Sequence, residues 1–340
     1  MNSPDALGQR SIHRRRTVLR LLAVAGGAGI AWKAGLLRPR SVRPVERFEV
    51  LMGTGVRLTL LGDDRAAAEA AADATLARMA GLEALLSRHR PDSELSRLNA
   101  AGRLAGASTE LIDVLRQAAE ISRLGGGAFD VTVQPVLDVW RGGHGGLPAP
   151  ERIEAALQRV DHGGVEIRGG EVRLRRPGMR ITLDGIGKGY VVDRGVDELR
   201  RRGFGNVFVE AGGDLVAGGG KTVGEPWRIG IRRPRPGLRL QARFEARDCA
   251  VATSGDYMQA FTADYSQHHI IDPRSGYSAP ELASSTVSAP DAATADALAT
   301  LTMVLGSQAG LDLIESLPGC EAYFVTKNLD VHRTSGFVVV

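Results

Sequence analysis

Residues 268–276 read HHIIDPRSG and residues 293–300 read ATADALAT, and the second segment gives the sharpest structural signal in the chain. If Thr294 caps a helix, Asp296 lies in its first turn, and Thr300, four residues later, shares its face. Magnesium prefers a few carboxylate and neutral oxygens and leaves room for phosphate. The pair therefore predicts a metal site for phosphoryl chemistry, and the alternative is an acidic residue that only stabilises the start of a helix.

The tandem histidines of the first segment supply a candidate base. His268 and His269 precede the apolar pair Ile270 and Ile271, where we expect a strand. Because a strand points successive side chains to opposite faces, only one of the two histidines should face a site. Histidine is the usual general base near neutral pH, so this segment suits proton transfer.

A glycine-rich turn lies upstream, in the sequence DGIGKGY at residues 184–190. A strand that enters such a turn and then a helix exposes backbone N–H groups to an anion. Lys188 would lie in the first helical turn, where a positive charge is unfavourable unless an anion is bound. No Ser or Thr follows the lysine, so this is not a P-loop, and a close-packed turn with an exposed lysine is the alternative.

Two weaker signals stand elsewhere in the chain. Phe129 and Asp130 are expected at the start of a strand, where an aromatic ring and an acid can stack on and bond a heterocycle, although the ring is more often core. Residues 253–257, TSGDY, combine small hydroxyls, glycine and an acid, and an ordinary turn has the same composition.

Residues 1–47 have the composition of an export leader. Arg14, Arg15 and Arg16 precede an apolar run that reaches about Trp32, as in a twin-arginine (Tat) signal. A membrane span is the weaker alternative, because the run carries Arg20 and falls short of the roughly 20 apolar residues required. We therefore expect a periplasmic protein, and retention at the inner membrane by an uncleaved leader stays open.

Charge separates this leader from the body of the chain. The formal net charge is +4, with +8 in residues 1–47 and −4 in residues 48–340. The basic balance thus belongs to the leader, and the body carries no electrostatic signature of nucleic-acid binding. Cys249 and Cys320 are the two cysteines, and their spacing does not decide whether they pair.

Residues 48–340 are expected to form one α+β domain, because strands alternate with unevenly spaced helices. We expect one strand over residues 48–61, carrying Met52, and a short helix in RPDSELSRLNA. The other expected elements are helices over 65–86, 108–123, 151–159, 185–202, 294–306 and 309–316, hairpins over 165–184 and 227–251, a strand–turn–strand in NVFVEAGGDLVAGGG, and strands over 321–326 and 336–340.

Eight segments together, in this order, resemble the ApbE family, the FAD:protein FMN transferases. Each is modest alone, but their order over nearly the whole body makes chance agreement a poor explanation. The segments are Met52-Gly53-Thr54, Asp92 to Asn99 (DSELSRLN), Gly127-Ala128-Phe129-Asp130, Gly185 to Tyr190 (GIGKGY), Ala211-Gly212-Gly213-Asp214, Thr253 to Tyr257 (TSGDY), His269 to Pro273 (HIIDP) and Ala295 to Thr300 (ADALAT).

The resemblance implies an ApbE-like (T-fold-like) α+β fold, with mixed sheets and helices around a central flavin-nucleotide cleft. It also implies that the enzyme uses Mg²⁺ to move the FMN half of FAD onto a Thr or Ser hydroxyl of a partner redox protein, releasing AMP. The partner would be a membrane or periplasmic flavoprotein of a respiratory electron-transfer complex. FAD hydrolysis to FMN and AMP, and a non-catalytic flavin-binding assembly factor, are the alternatives.

The resemblance also assigns site residues. Carried over by motif, the metal ligands are Gly185 and Ala299 through their carbonyls, with Asp296 and Thr300. His269 would activate the acceptor hydroxyl, and Lys188 would help to neutralise phosphate charge. The FAD site would be lined by Met52, Ala128, Phe129, Asp130, Lys188 and Ile270.

The chain departs from the family pattern at two positions that contact the flavin nucleotide. Thr182 stands where the family commonly has an aspartate, three residues before the metal-binding carbonyl, and an aspartate follows at 184 instead. His89 stands where an aromatic residue is usual, after Ser87 and Arg88.

Overall fold

The structure is a computed structural model that describes residues 44–143, 147–221, 225–237 and 240–340. Residues 1–43 of the expected leader, and His144 to Gly146, lie outside the described residues. The first strand begins at Val45, within the last residues that we assigned to the leader. In the parts of the chain that the structure covers, no helix combines the length and apolarity needed to span a bilayer.

The described strands, numbered along the chain, form three antiparallel sheets. They are Val45–Leu51 (β1), Thr54–Leu60 (β2), Arg103–Ala105 (β3), Val165–Arg168 (β4), Glu171–Leu174 (β5), Val207–Ala211 (β6), Asp214–Gly218 (β7), Trp227–Arg232 (β8), Leu240–Ala246 (β9), Cys249–Gly255 (β10), Leu282–Ala289 (β11), Glu321–Thr326 (β12) and Val331–Arg333 (β13). The main sheet has the order β1-β2-β6-β7-β10-β11-β12-β13, and the smaller sheets are β3-β5-β4 and β8-β9.

The described helices include all of those expected, together with one more, at Gln134–Arg141. They are Arg65–Leu86 (α1), Glu94–Ala101 (α2), Thr109–Leu124 (α3), Gln134–Arg141 (α4), Pro150–Leu157 (α5), Gly187–Arg201 (α6), Ala292–Leu305 (α7) and Ser307–Glu315 (α8). The sequence offers Ser108 or Thr109 as the cap of α3, and Ser108 is the capping residue, since its hydroxyl accepts the Leu111 N–H. Together with the antiparallel sheets, these helices confirm the α+β class.

Both faces of the main sheet are covered, by different elements. Helices α1, α6 and α7 pack on one face, where Met79, Tyr190 and Leu298 are buried against strand residues such as Val209. The β8-β9 hairpin covers the other face with a second cluster around Trp227. The end of α1, the start of α6 and one face of α7 line the same cavity.

The expected single strand over residues 48–61 is wrong. β1 and β2 form a hairpin in which Leu51 pairs with Thr54, and Met52 and Gly53 are the two turn residues. Their φ angles are 54° and 70°, the combination of a type I′ turn. Methionine is unusual at a position with positive φ, so its presence at position 52 does not predict a turn.

Four further expectations are corrected. Asp130 lies in a loop, not at the start of a strand, and the following residues form α4, because Pro135 suits the first turn of a helix. The last strand is Val331–Arg333 instead of residues 336–340. Residues 181–184 are not a strand, and β10 joins the main sheet instead of the 227–251 hairpin.

Candidate active site

A cavity of about 610 Å³ opens where the β1-β2 turn, the end of α1, the start of α6, the face of α7 and the loop after β10 meet. All but one of the residues assigned to the site from the sequence line it. Those that line it are Met52, His89, Ala128, Phe129, Asp130, Thr182, Gly185, Lys188, His269, Ile270, Asp296 and Thr300. Ala299 is buried outside the lining, and its carbonyl accepts the Thr302 hydroxyl at 3.2 Å, so its role as a ligand stays a prediction.

The two site-bearing helices cross at a glycine. A Cβ on Gly189 of α6 would lie 2.1 Å from the carbonyl oxygen of Ala292, so no other residue permits this approach. Asp193, one turn later, accepts the N–H groups of Ala292 and Ala293 at 2.8 and 2.9 Å, which caps α7 from its neighbour. Burial raises the pKa of Asp193 to about 6, although these two bonds oppose the rise.

The cap of α7 differs from the expectation. Asp291, not Thr294, is the capping residue, and it accepts the Thr294 N–H at 2.8 Å. Asp296 therefore lies in the second turn, where it is 3% exposed. It accepts the Gly189 N–H at 3.2 Å, a donor that the first turn of α6 leaves free. Asp296 and Thr300 both face the cavity, as the i, i+4 spacing predicts.

The predicted magnesium ligands fit a small cation. A Cβ on Gly185 would lie 3.0 Å from the Thr300 Oγ1, so a side chain at this position would crowd that hydroxyl. The Thr300 hydroxyl is also 3.1 Å from Ser254 Oγ. A carboxylate, a hydroxyl and a backbone carbonyl are hard oxygen donors of the kind that Mg²⁺ takes. No group of three or more His, Cys, Asp or Glu residues suited to a metal occurs among the described residues, so this set relies on neutral oxygens.

Lys188 is paired with an acid that we assigned no role. Its Nζ donates to Asp214, which is 1% exposed and begins β7. Burial would lower the pKa of Lys188, but the charges of Asp214 and Asp296 outweigh burial and raise it. Burial also raises the pKa of Asp296, and the nearby Asp214 raises it further. Two carboxylates and one ammonium give this end of the cavity a net negative charge, which favours the binding of a cation.

The tandem histidines have different environments. His268 is fully buried: its Nε2 donates to the Ala279 carbonyl at 3.0 Å and its Nδ1 accepts the Ile270 N–H at 3.3 Å. His269 lines the cavity, and its buried Nδ1 has no hydrogen-bond partner. Only His269 faces the site, as expected, although the segment is a loop with isolated bridges instead of a strand. Burial, then the neighbouring His268, lowers the pKa of His269 to about 4, which keeps the ring neutral at pH 7.

The residues assigned to flavin contact fall into two groups. Ala128, Phe129 and Ile270 are buried apolar parts of the cavity wall, which suits a flat heterocycle. Asp130 is already engaged, because its carboxylate accepts the N–H groups of Thr132 and His162 at 2.7 and 2.9 Å. Asp130 therefore also stabilises the loop in which it lies.

The two departures from the family pattern also lie on the cavity. The hydroxyl of Thr182 accepts the Asp184 N–H at 3.1 Å, and His89 is exposed at the mouth. Asp184 itself lies between two arginines that we did not anticipate. Arg88 Nε is 3.0 Å from both of its oxygens, and Arg141 Nη2 is 3.7 Å away.

Comparison with known proteins shows the family of this chain. The model of the ApbE family matches residues 52–324. The chain belongs to the ApbE family. A FAD:protein FMN transferase of Treponema pallidum (strain Nichols) is 32% identical over 325 residues, which cover 87% of this chain and 88% of that protein. Another, from Vibrio cholerae, is 36% identical over 242 residues, which cover 68% and 72%.

Solved structures of ApbE proteins have the same fold. The ApbE protein of Thermotoga maritima superposes with a TM-score of 0.78 at 31% identity, covering 86% of this chain and 97% of that one. The flavin transferase ApbE from Vibrio cholerae gives a TM-score of 0.76 at 30% identity, with 87% and 98% covered. The family and the fold that the sequence predicted are thus confirmed.

Proposed function

We propose that this chain is a Mg²⁺-dependent enzyme that moves the FMN moiety of FAD onto a Thr or Ser hydroxyl of a partner redox protein and releases AMP. The coarse part, an enzyme that transfers flavin, has the support of relatives named FAD:protein FMN transferase. The metal, the hydroxyl acceptor and the AMP product are the finer part. The observation that carries the proposal is that Asp296, Thr300, Gly185 and His269 face one cavity.

The metal end supports the proposal through its charge and its donors. Asp296, Thr300 and the Gly185 carbonyl, with Ala299 as the fourth predicted ligand, would hold the Mg²⁺. Bound there, Mg²⁺ would neutralise the negative charge that the phosphates carry during transfer. Lys188 stays charged because Asp214 and Asp296 raise its pKa, so it adds a fixed positive charge to the same end.

His269 is the residue we assign to proton transfer. Its neutral ring accepts the proton of the acceptor hydroxyl, whose oxygen forms a bond to the phosphorus on the FMN side. The bond from that phosphorus to the bridging oxygen breaks, and the oxygen leaves with AMP. The product on the partner is a phosphodiester. The free Nδ1 and the lowered pKa of His269 support this role, because the base is available without prior deprotonation.

The direct test is an assay of the full chain with FAD, Mg²⁺ and a threonine-containing flavoprotein acceptor. We expect a fluorescent acceptor band on a denaturing gel and the release of one AMP for each labelled acceptor molecule. EDTA should abolish both. FAD binding without any labelled acceptor, across the flavoproteins of the same genome, would overturn the proposal.

The same assay separates the alternatives. Stoichiometric AMP and free FMN in the absence of acceptor would identify a FAD pyrophosphatase. Bound FAD with neither AMP nor label would identify a non-catalytic assembly factor.

We further propose that the enzyme acts in the periplasm after export by the Tat route, on a subunit of a respiratory electron-transfer complex. Arg14, Arg15, Arg16 and the apolar run that follows support this. Fractionation of cells that express the full chain, with and without replacement of all three arginines by lysine, tests it. Unchanged recovery of the variant in the periplasm would overturn the Tat assignment.

A further inference from the structure

The cavity has a second charged end, formed by Arg88, Arg141 and Asp184. All three residues line the cavity. The Asp184 carboxylate is held by Arg88 Nε at 3.0 Å and lies 3.7 Å from Arg141 Nη2. Two guanidinium groups therefore share one carboxylate, which leaves an excess of one positive charge.

Arg141 has unused hydrogen-bonding capacity. Its Nη2 donates to Gln259 Oε1 at 3.3 Å, but its Nη1 is buried without a partner. Burial, then the charge of Arg88, lowers the pKa of Arg141, so the two guanidinium groups are close enough to repel each other. A buried donor without a partner is costly, and a charged oxygen would satisfy it.

The positive end adjoins the metal end. Asp184 and Gly185 are consecutive residues, so their Cα atoms are about 3.8 Å apart. At the metal end, Asp214, Asp296 and Lys188 with a divalent cation would also sum to one positive charge. The pyrophosphate of FAD carries one negative charge on each of two linked phosphates, which matches two adjacent positive ends.

We propose that Arg88 and Arg141 form a subsite for one phosphate of the FAD pyrophosphate, next to the phosphate held at the metal end. Asp184 holds the two guanidinium groups in place. It lies two residues after Thr182, the position at which the family commonly has an aspartate. The subsite rests on the proposed function for the identity of the nucleotide, but it is tested by binding alone. Its ligand chemistry is a phosphate oxyanion.

The experiment compares FAD with riboflavin, which has no phosphate, by flavin fluorescence titration of the full chain in Mg²⁺-free buffer. Without the metal no transfer takes place, so failure of this test is separate from failure of the proposed function. We expect Arg141→Gln and Arg88→Gln each to weaken FAD binding about ten-fold and to leave riboflavin binding unchanged. Arg141→Lys should keep part of the affinity, because it keeps the charge but not the planar fork.

The matched control is Arg90→Gln. Arg90 lies in the same loop as Arg88, is 3.8 Å from Asp92 and does not line the cavity. The Arg90→Gln variant should bind both FAD and riboflavin with unchanged affinity. If Arg141→Gln does not fold, Arg88→Gln and Arg141→Lys decide the question.

Two results would overturn the subsite. Equal losses of FAD and riboflavin affinity would mean that the arginines only shape the wall. Unchanged FAD affinity with a raised KM for the acceptor protein would assign the arginines to an acidic group of the acceptor.

Discussion

Two pairs of identical residues are used in opposite ways in this molecule. His268 and His269 are adjacent in the sequence, and Asp193 and Asp296 lie on the packed helices α6 and α7. His268 and Asp193 have their polar atoms bonded to backbone groups of the fold. His269 and Asp296 line the cavity, and the His269 ring keeps an unpartnered nitrogen. Residue type therefore does not separate scaffold from site, but a position on the cavity wall does.

The largest expected effect is on catalysis, from His269→Ala. Loss of a positioned base should lower the rate of FMN transfer by about 10²–10⁴-fold while FAD binding persists. Transfer assays with FAD titrations measure both. His332→Ala, on the exposed strand β13, is the control. A rate within a few-fold of wild type would remove His269 from the mechanism.

Asp296→Ala should come next. Without the carboxylate, we expect a transfer rate about 10²-fold lower and a higher Mg²⁺ concentration for half-maximal activity, because the metal loses its charged ligand. Asp197→Asn, a half-exposed acid on α6, is the control. An unaltered Mg²⁺ requirement would contradict the metal assignment.

His268→Ala tests the scaffold member of the histidine pair. It removes two buried hydrogen bonds and leaves a cavity, so the free energy of unfolding should fall by about 2–4 kcal/mol. Urea denaturation measures the change. The folded fraction should keep its transfer rate, and a rate loss as large as that of His269→Ala would erase the distinction between the two histidines.

Asp193→Ala tests the scaffold member of the aspartate pair. The start of α7 loses a cap that serves two N–H groups, which should cost about 1–2 kcal/mol of unfolding free energy. Asp193→Asn should recover part of this loss, because one amide oxygen can serve one N–H group. Denaturation curves of both variants, measured beside Asp197→Asn, give the comparison, and equal stability of all three would contradict the capping role.

The smallest expected effect is on the pH dependence of the free energy of unfolding. Burial lowers the pKa of His268 and of His269 to about 4, below the unfolded value of about 6.5. At these two histidines the unfolded chain then binds more protons between these pH values, so their contribution to stability is full above about pH 6.5 and is lost toward pH 4. His269→Gln should reduce the proton uptake on unfolding by about one, as measured by denaturation at several pH values. An unchanged slope would mean that His269 titrates normally.

The sequence predicted what is local and periodic. Helices α1 and α3 were placed almost to the residue, since apolar periodicity and the Ser108 cap are readable from neighbours in the chain. Helical spacing predicts that Asp296 and Thr300 lie on the same face of α7. The hairpin at Met52 was missed, because a methionine with positive φ depends on tertiary contacts that outweigh its local preference.

The charged contacts of the site could not be predicted in the same way. Arg88 and Asp184 are separated by 96 residues, and Lys188 and Asp214 by 26. Their pairing depends on how α1, α6 and β7 pack, which single residues do not encode. The resemblance to a family supplied most of the site instead, because it carries tertiary information that local patterns lack.

At Met52, the stability of the turn and the shape of the cavity wall favour different residues. A left-handed conformation costs a side-chain-bearing residue about 1–2 kcal/mol relative to glycine, yet this conformation places the Met52 side chain on the cavity wall. Glycine or asparagine would relax the hairpin and remove the thioether from the wall. Selection for thermostability alone should therefore drive position 52 away from methionine, and selection for turnover should retain it.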